Sequence, residues 1–496
     1  MMGGRFLLAI DQGTSSSRAV IYDHEAGVVA SAQQEFAQIY PRAGWVEHDP
    51  ETIWASVQDV TRKSMHDASA NPLDITAIGV TNQRETTLIW DRRSGKCIHN
   101  AIVWQDRRTA TYCDALKADN VESMVIDKTG LRLDPYFSAT KIVWILDNVA
   151  GSRELAESGD LAFGTVDSFV LWRLTGGRTH ATDATNASRT LLFNIHTQQW
   201  DDELLRLFNI PRALLPDVFD CAADFGVTDD DLLGAAVPVC GVAGDQQAAL
   251  IGQAGFDRGM TKSTYGTGCF VIANTGDEAL SSKNKLLTTV ASRLAGKTTY
   301  GLEGSVFVAG SAMQWLRDEL GVIDSATESE AIAQKTGIVD EVHVVPAFAG
   351  LGAPYWDARA RGAILGLTRG SGREDIVTAT LQSVAYQTRD LIDAMADDGM
   401  APSVIRVDGG MVANNWFLQF LADILNIPVE RPGNVESTVL GAAYLAGYQS
   451  GIFSSVKDLG LLWRREAEFL PTMSSDQREH LLAGWAAAIR CVRTNE

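Results

Sequence analysis

The sequence predicts an α/β protein with more than one domain. At roughly 100–200 residues per domain, a chain of 496 residues is long enough for two to four domains with large cores. Short apolar runs bounded by Gly or Asp alternate with longer segments of helical period, which is the pattern of layered strands and helices. A hydrophobic fraction of 46% with 21% charged residues is ordinary globular composition, and it excludes wholesale disorder and collagen-like or coiled-coil architectures.

The first elements follow in chain order. Residues 6–10 form an apolar run that predicts a strand. Asp49 followed by Pro50 is typical of a helix N-cap and a first-turn proline. The helix that they predict has Ile53, Val57 and Val60 on one face, and residues 75–80 then predict the next strand.

The second half repeats this alternation. Residues 404–407 predict a strand that ends at Asp408-Gly409-Gly410, and a helical stripe follows at Trp416, Phe420 and Ile424. Residues 10–13 end in the same apolar-Asp-x-Gly pattern, so the two segments suggest a strand-turn unit present in each half. Composition marks no linker, and we place the domain boundary within residues 252–259, which gives domains at 1–252 and 253–496.

Charge and cysteine content narrow the function classes. The net charge of −20 and pI near 4.8 argue against nucleic-acid binding, because phosphate contacts need clustered cations. Six cysteines without a C-x-x-C pair fit a reducing compartment, and we expect a cytoplasmic protein. The most apolar long window, residues 237–256, carries Asp245 and two glutamines near its middle, so we expect no membrane insertion.

The first candidate site follows the first predicted strand. Residues 11–18, DQGTSSSR, combine a glycine with four hydroxyl side chains, and Arg18 adds a cation. Backbone N–H groups that converge at Gly13 could bind a phosphate, and Asp11 could hold Mg²⁺ through water. A polar β-hairpin explains the same residues, so this segment alone does not decide between the two. The chain has neither G-x-x-x-x-G-K-[ST] nor G-x-G-x-x-G after a strand, which disfavours a P-loop or Rossmann enzyme.

Two further candidates lie near the middle of the chain. Asp245 ends an apolar strand among small residues, where a carboxylate is well placed as a general base. The alternative is a helix N-cap for the segment that begins at Gln246. Residues 265–268, YGTG, suggest a second anion-binding turn, although a glycine-rich hairpin fits equally well.

The exit of the strand at residues 75–80 is unusually polar. Arg84 and Glu85 place a cation beside an anion, and such a pair can donate to and accept from adjacent hydroxyls of a polyol. A surface ion pair on a solvated strand end is the alternative. Trp104 could supply an aromatic wall, or it could belong to the core.

Together these segments resemble the FGGY family of carbohydrate kinases over nearly the whole chain. The resemblance rests on DQGTSSSRAV from Asp11, NQRETT from Asn82, WQDRRT from Trp104, AGDQQAAL from Ala243, YGTGCF from Tyr265 and PAFAGLGAPYWDARARGAILGLTRG from Pro346. It implies an actin-like ATPase fold of two RNase H-like domains with the active site in the cleft between them. Domain 1–252 would carry the polyol site, the first phosphate turn and the base, and domain 253–496 would bind the nucleotide.

The resemblance also implies roles for individual residues. Asp245 would be the general base that takes a proton from a hydroxyl of glycerol as ATP donates its γ-phosphate, and Asp11 and Asp245 would flank Mg²⁺. The implied polyol contacts are Arg84, Glu85, Tyr136, Asp245, Gln246, Trp104 and Phe270. The implied nucleotide contacts are Thr14, Ser15, Ser16, Arg18, Thr267, Gly310, Gln314, Gly410 and Asn414.

One segment departs from the family. Relatives inhibited by fructose 1,6-bisphosphate carry a Gly-rich, Arg-containing loop before the strand of the base, whereas residues 229–231 are three aspartates. Such a cluster repels a bisphosphate, so we expect this inhibition to be absent or weak. The resemblance further implies a homodimer or homotetramer.

Three other functions compete with glycerol phosphorylation. A kinase for another small polyol or a ketose would share the phosphate turns and differ only in the polyol contacts. A non-metabolic actin-like ATPase would have no need for Asp245 beside Arg84 and Glu85. A sugar-responsive transcription factor would need a helix-turn-helix and a basic face, and the strand at residues 6–10 begins almost at once.

Overall fold

The computed structural model describes residues 5–357 and 359–494. The strands of the first half are β1 (Phe6–Gln12), β2 (Ser16–Asp23), β3 (Val28–Glu35), β4 (Glu47–His48), β5 (Ile75–Asn82), β6 (Leu88–Asp91), β7 (Ala101–Ile102), β8 (Leu161–Gly164), β9 (Ala181–Asp183), β10 (Phe193–Asn194), β11 (Gln199–Trp200), β12 (Asp217–Phe219) and β13 (Val239–Gly244). Its helices are α1 (Pro50–Asp67), α2 (Ala110–Ala118), α3 (Glu122–Thr129), α4 (Ser138–Asn148), α5 (Ser152–Glu157), α6 (Val166–Leu174), α7 (Ala184–Ala187), α8 (Asp202–Phe208), α9 (Asp230–Leu233) and α10 (Asp245–Gly252).

The second half continues the alternation. Its strands are β14 (Thr261–Tyr265), β15 (Cys269–Gly276), β16 (Leu287–Leu294), β17 (Lys297–Val306), β18 (His343–Val345), β19 (Ala363–Leu365), β20 (Ile405–Asp408), β21 (Val429–Pro432) and β22 (Arg465–Phe469). Its helices are α11 (Gly310–Asp318), α12 (Glu328–Thr336), α13 (Arg373–Asp397), α14 (Asn415–Leu425), α15 (Ser437–Gln449), α16 (Val456–Leu462) and α17 (Ser475–Val492).

A five-stranded sheet organises the first half, in the order β13-β5-β1-β2-β3. Strand β2 pairs antiparallel with both β1 and β3. On the other side of β1, β5 pairs in parallel with β1, and β13 pairs in parallel with β5. The register aligns Gln12 with Asn82, and Asn82 with Gly244. The chain therefore leaves β1, β5 and β13 at the same edge of the sheet, where ligands bind in open α/β sheets.

The second half contains the same arrangement within a seven-stranded sheet of order β16-β17-β15-β14-β20-β21-β22. Strand β14 forms an antiparallel hairpin with β15 and pairs in parallel with β20, as β1 does with β2 and β5. The expectation of a strand-turn unit in each half is thus confirmed, but its assignment was wrong. Asp408 ends β20, the counterpart of β5, so the counterpart of the turn after Asp11 is the turn at residues 265–268.

The predicted elements form for the expected local reasons. The Asp49 carboxylate caps α1 by accepting from the Glu51 N–H. The apolar face of α1 packs against the first sheet with Ile53, Val57 and Val60 buried. In α14 the rings of Trp416 and Phe420 stack at 5.4 Å, and the Asn414 side chain accepts from the Phe417 N–H at the start of the helix.

Helix α15 belongs to the second half in sequence but packs against α10 and against strands β13, β5 and β1 of the first sheet. The contact with α10 depends on glycine, because a Cβ atom at Gly441 would overlap the backbone of Ala248, and one at Gly252 would overlap that of Ser437. The two helices therefore touch backbone to backbone. The domain boundary at residue 252 stays a prediction.

Within residues 5–357 and 359–494, the helices include none with both the length and the apolar character needed to cross a bilayer.

Candidate active site

The first glycine turn joins β1 to β2. It is a tight hairpin in which the Gly13 N–H donates to the Ser16 carbonyl at 2.9 Å. The Thr14 hydroxyl accepts from the Trp104 indole N–H at 2.9 Å, so the turn lies directly beside the predicted aromatic wall. Ser15 is exposed, and Arg18 forms an ion pair with Glu436 from the second half.

The polar exit of β5 is buried, which overturns the alternative of a solvated strand end. Arg84 and Glu85 are 3% and 1% exposed. The Arg84 guanidinium donates from both terminal nitrogens to Glu303, at 2.6 and 3.1 Å, and its Nε lies 3.0 Å from Oδ1 of Asp245. Arg84 therefore links the end of β5, the start of α10 and strand β17 of the second half.

A second arginine completes this cluster. Arg189 Nε donates to Glu85 at 2.7 Å, and its Nη2 donates to Glu303 at 3.1 Å. Burial alone would raise the pKa of Glu303, but Arg189 and Arg84 lower it to about 2. Glu303 is therefore ionised at neutral pH, and it holds both cations in fixed positions.

Asp245 occupies the first turn of α10, immediately after β13. Gly244 precedes the helix as its N-cap, so the N-cap alternative for Asp245 is wrong. The Asp245 side chain is 30% exposed, unlike its partner Arg84. The carboxylate thus combines a fixed orientation with access from solvent, which is the geometry that a general base needs.

Three aromatic rings border this carboxylate cluster. The ring of Trp104 lies 5.6 Å from that of Tyr136 and 6.2 Å from that of Phe270, both edge-on. Gln246, next to Asp245, accepts from the Lys262 ammonium through its side-chain oxygen. All seven residues predicted for the polyol site are therefore connected through direct contacts or through shared neighbours.

The predicted nucleotide contacts of the second half line one cavity of about 320 Å³. It lies between the turn after β14 and the starts of α11 and α14. The Gly310 N–H donates to the Gly266 carbonyl at 2.9 Å, which ties the start of α11 to the turn. The five predicted residues in its lining are Thr267, Gly310, Gln314, Gly410 and Asn414.

Asp11 and Asp245 are electrostatically coupled at the shared sheet edge. Burial raises the pKa of Asp11 to about 7, the Asp245 charge adds to the rise, and Arg18 opposes it. A divalent cation stabilises the ionised form of a carboxylate whose ionisation is disfavoured by burial and by a neighbouring negative charge. Mg²⁺ needs only one or two protein carboxylates when water and phosphates complete its octahedron, so this donor set fits it. The described residues contain no cluster of three or more His, Cys, Asp or Glu side chains that could hold a metal alone.

Sequence reasoning missed three buried charges of this site. Glu303, Arg189 and Lys262 are each 0% exposed, and none lies in a motif. For Glu303 the signal is a charge among uncharged residues of a strand-like segment, because Glu is almost never fully buried without a partner. Arg189 and Lys262 are each flanked by two hydroxyl residues and give no such signal. That signal marks burial but does not identify the partner.

Comparison with known proteins agrees with this geometry. The two mixed sheets with the cleft residues between them form the two-domain actin-like ATPase fold. The profile of the N-terminal domain of FGGY carbohydrate kinases matches residues 6–252, and that of the C-terminal domain matches residues 261–450. The chain belongs to the FGGY family of carbohydrate kinases.

Individual relatives are similar over their full length. The glycerol kinase of Ectopseudomonas mendocina is 62% identical over 491 residues, 99% of each chain. Glycerol kinase 1 of Pseudomonas aeruginosa is 61% identical over 489 residues, again 99% of each. The crystal structure of Plasmodium falciparum glycerol kinase with ADP superposes with a TM-score of 0.92 at 37% identity and covers 100% of both chains. A gluconate kinase from Lactobacillus acidophilus, at 22% identity and a TM-score of 0.89, shares the fold.

Proposed function

We propose that this chain transfers the γ-phosphoryl group of ATP to a terminal hydroxyl of glycerol and releases ADP and sn-glycerol 3-phosphate. The observation that carries the proposal is the Asp245 carboxylate, held by Arg84 at 3.0 Å and 30% exposed. The names and the 61–62% identities of the bacterial relatives support glycerol as the acceptor.

The reaction needs a base, an aligned hydroxyl and a stabilised phosphate. Asp245 accepts the hydroxyl proton while the hydroxyl oxygen attacks the γ-phosphorus. The bond from phosphorus to the β,γ-bridging oxygen breaks, and ADP leaves with the electron pair. Because phosphoryl transfer needs little covalent help from the protein, positioning by Arg84 and the two glycine turns supplies most of the catalysis.

Both substrates contact residues from both halves of the chain. Glycerol lies against Trp104 and Phe270, and its hydroxyls meet the polar groups of Arg84, Glu85, Tyr136, Asp245 and Gln246. The phosphates of ATP meet the turn residues Thr14, Ser15 and Ser16, with Arg18 near them, and Thr267 in the second turn. The nucleoside occupies the cavity lined by Gly310, Gln314, Gly410 and Asn414. Asp11 and Asp245 would hold Mg²⁺, which would supply positive charge to neutralise the phosphates.

Two alternatives remain as outcomes of the test. A kinase for another small polyol or a ketose would retain Asp245 and prefer a different acceptor. An actin-like ATPase without a metabolic acceptor would hydrolyse ATP regardless of polyol.

The test is ADP release from Mg·ATP with glycerol, dihydroxyacetone, erythritol, xylulose or no acceptor. The variant is Asp245→Asn, and the matched control is Asp220→Asn, which alters an Asp–Arg pair with Arg293 outside the site. We expect glycerol to exceed the other acceptors by about tenfold, and the variant to lose about 10²-fold or more in kcat. Preference for another acceptor would contradict glycerol, and acceptor-independent hydrolysis insensitive to Asp245→Asn would contradict the kinase itself.

Partners and location complete the proposal. We expect a homodimer or homotetramer, to be measured by light scattering, and a cytoplasmic location, which the absence of disulfides among the described residues supports. Inhibition by fructose 1,6-bisphosphate should be weak or absent, because Asp229, Asp230 and Asp231 place three carboxylates at the start of α9. These negative charges repel a bisphosphate. Arg178 lies beside these aspartates, and it is already engaged by Asp229 at 3.2 Å.

A further inference from the structure

The backbone turns sharply at Glu85. Glu85 has a φ of 60°, and the Thr86 N–H donates to the Arg84 carbonyl across it at 2.7 Å. A hydrogen bond between residues i and i+2 around a positive φ defines the rarer, strained form of the γ-turn. Such strain persists only where surrounding groups over-determine it.

Three side chains hold this turn through one atom, the Glu85 carbonyl oxygen. The Thr87 hydroxyl donates to it at 3.1 Å, the Ser138 hydroxyl at 3.0 Å and the Lys141 ammonium at 3.3 Å. Ser138 and Lys141 both belong to α4. The carboxylate of the same residue is held by Arg189, so the backbone and the side chain of Glu85 are fixed from different elements.

Lys141 is an unusual residue at a fully buried position where the described residues offer it no ion-pair partner. It is 0% exposed, and no carboxylate lies within ion-pair distance of its ammonium among the described residues. Instead it also donates to the Tyr136 carbonyl at 2.5 Å. Burial lowers the pKa of Lys141 to about 7, and a neutral amine still has two N–H groups, enough for both carbonyls.

A buried lysine without an anion is costly, and an apolar side chain of similar length would fill the same space without that cost. Lys141 therefore needs a reason beyond packing. Its two acceptors are the carbonyls of Glu85 and Tyr136, two of the residues proposed to contact the polyol. The Lys141 Nζ fixes the spacing between these two carbonyls.

We propose that Lys141, assisted by Ser138, is a positioning residue that sets the separation of Glu85 and Tyr136 and thereby the affinity for the polyol. The inference rests on the proposed function, because it assumes that these two residues contact the acceptor. Among the described residues, the fully buried Lys141 contacts two of the proposed polyol site but none of the proposed nucleotide site, so it acts on acceptor binding and leaves ATP binding unchanged.

The test compares Lys141→Met and Ser138→Ala with the wild type and with Thr175→Val in the full chain. Thr175 is equally buried, and its hydroxyl donates to the Leu171 carbonyl at 2.8 Å, away from the polyol residues. Initial rates give kcat and both KM values, and calorimetry gives the Kd of glycerol. Ser138→Ala keeps the test usable if Lys141→Met does not fold.

We expect Lys141→Met to raise KM and Kd for glycerol by about tenfold or more, and Ser138→Ala by about threefold, with KM for ATP within about twofold of the wild type. Thr175→Val should lower the melting temperature without moving either KM. Glycerol constants that stay unchanged in the folded variants, or KM values for ATP that rise in parallel, would overturn the inference. If the wild type itself prefers another acceptor, the proposed function fails on its own, and the same comparison with that acceptor decides the role of Lys141.

Discussion

The substitution Glu303→Gln would leave two buried arginines with one anion fewer between them. Glu303 accepts from Arg84 at 2.6 and 3.1 Å and from Arg189 at 3.1 Å. The three side chains are between 0% and 2% exposed, so water cannot reach the two guanidinium groups to solvate them after the negative charge is removed. Oε1 of Glu303 accepts from both arginines, and Oε2 accepts from Arg84 alone. Glutamine keeps the volume and one acceptor oxygen, but it carries no charge, and its NH₂ group sets a donor against a guanidinium donor.

The expected loss of stability follows from this burial. Removing one partner of a buried ion pair costs about 3–5 kcal/mol, and the retained amide oxygen favours the lower end. In a unit of about 250 residues, a loss of about 3 kcal/mol lowers the melting temperature by about 6–12 °C. Because Arg84 also holds Asp245, KM for glycerol should rise at the same time.

The matched control is Glu466→Gln. Glu466 makes a similar two-pronged pair with Arg431, at 2.7 and 3.2 Å, but its side chain is 52% exposed. Such surface pairs contribute at most about 1 kcal/mol. Thermal unfolding followed by circular dichroism compares the two variants with the wild type. Equal shifts in melting temperature would show that burial of the Glu303 cluster does not contribute as argued.

Three further predictions concern the pH dependence of stability, the binding of ATP and the binding of fructose 1,6-bisphosphate. Burial, with Asp183 adding to the effect, raises the pKa of Asp167 to about 7, so the native state keeps a proton that the unfolded chain releases. As the pH rises from about 4 to about 7, the free energy of unfolding of the wild type should therefore fall by about 1.4 kcal/mol per pH unit relative to that of Asp167→Asn. Urea unfolding measures this difference, and parallel pH curves for the two proteins would contradict it. Gly310→Ala sets a methyl carbon 2.6 Å from the Gly266 carbonyl oxygen, so KM for ATP should rise while KM for glycerol stays constant, and an equal rise in both would refute the assignment. Calorimetry should detect no tight fructose 1,6-bisphosphate binding near residues 229–231; a micromolar Kd would contradict that expectation.

Much of the first sheet could be predicted from sequence because its signals are local. The apolar run of β1 and the Asp49-Pro50 start of α1 each occupy a few neighbouring residues, and the structure confirms both. The turn after Asp11 is equally local. Its counterpart was assigned wrongly, because strand order depends on pairing between β14, β15 and β20 rather than on the Asp-x-Gly letters.

The site was predictable only in part for the same reason. Motif residues such as Arg84 and Asp245 lie in short polar segments that differ from the strands around them. Glu303 lies 219 positions from Arg84 in sequence, and nothing in its own strand reveals that partner. Lys141 binds carbonyl groups, which every residue has, so its contacts leave no trace in the pattern of side chains.

The backbone contact between α10 and α15 limits where new acceptor specificity could arise. Asp245 begins α10, and the other end of that helix is pressed at Gly252 against Ser437. A larger side chain at Gly252 or Gly441 would displace the whole of α10 and move the Asp245 carboxylate with it. Directed evolution toward other acceptors should therefore conserve the backbone contact between α10 and α15 and vary the three aromatic residues Trp104, Tyr136 and Phe270.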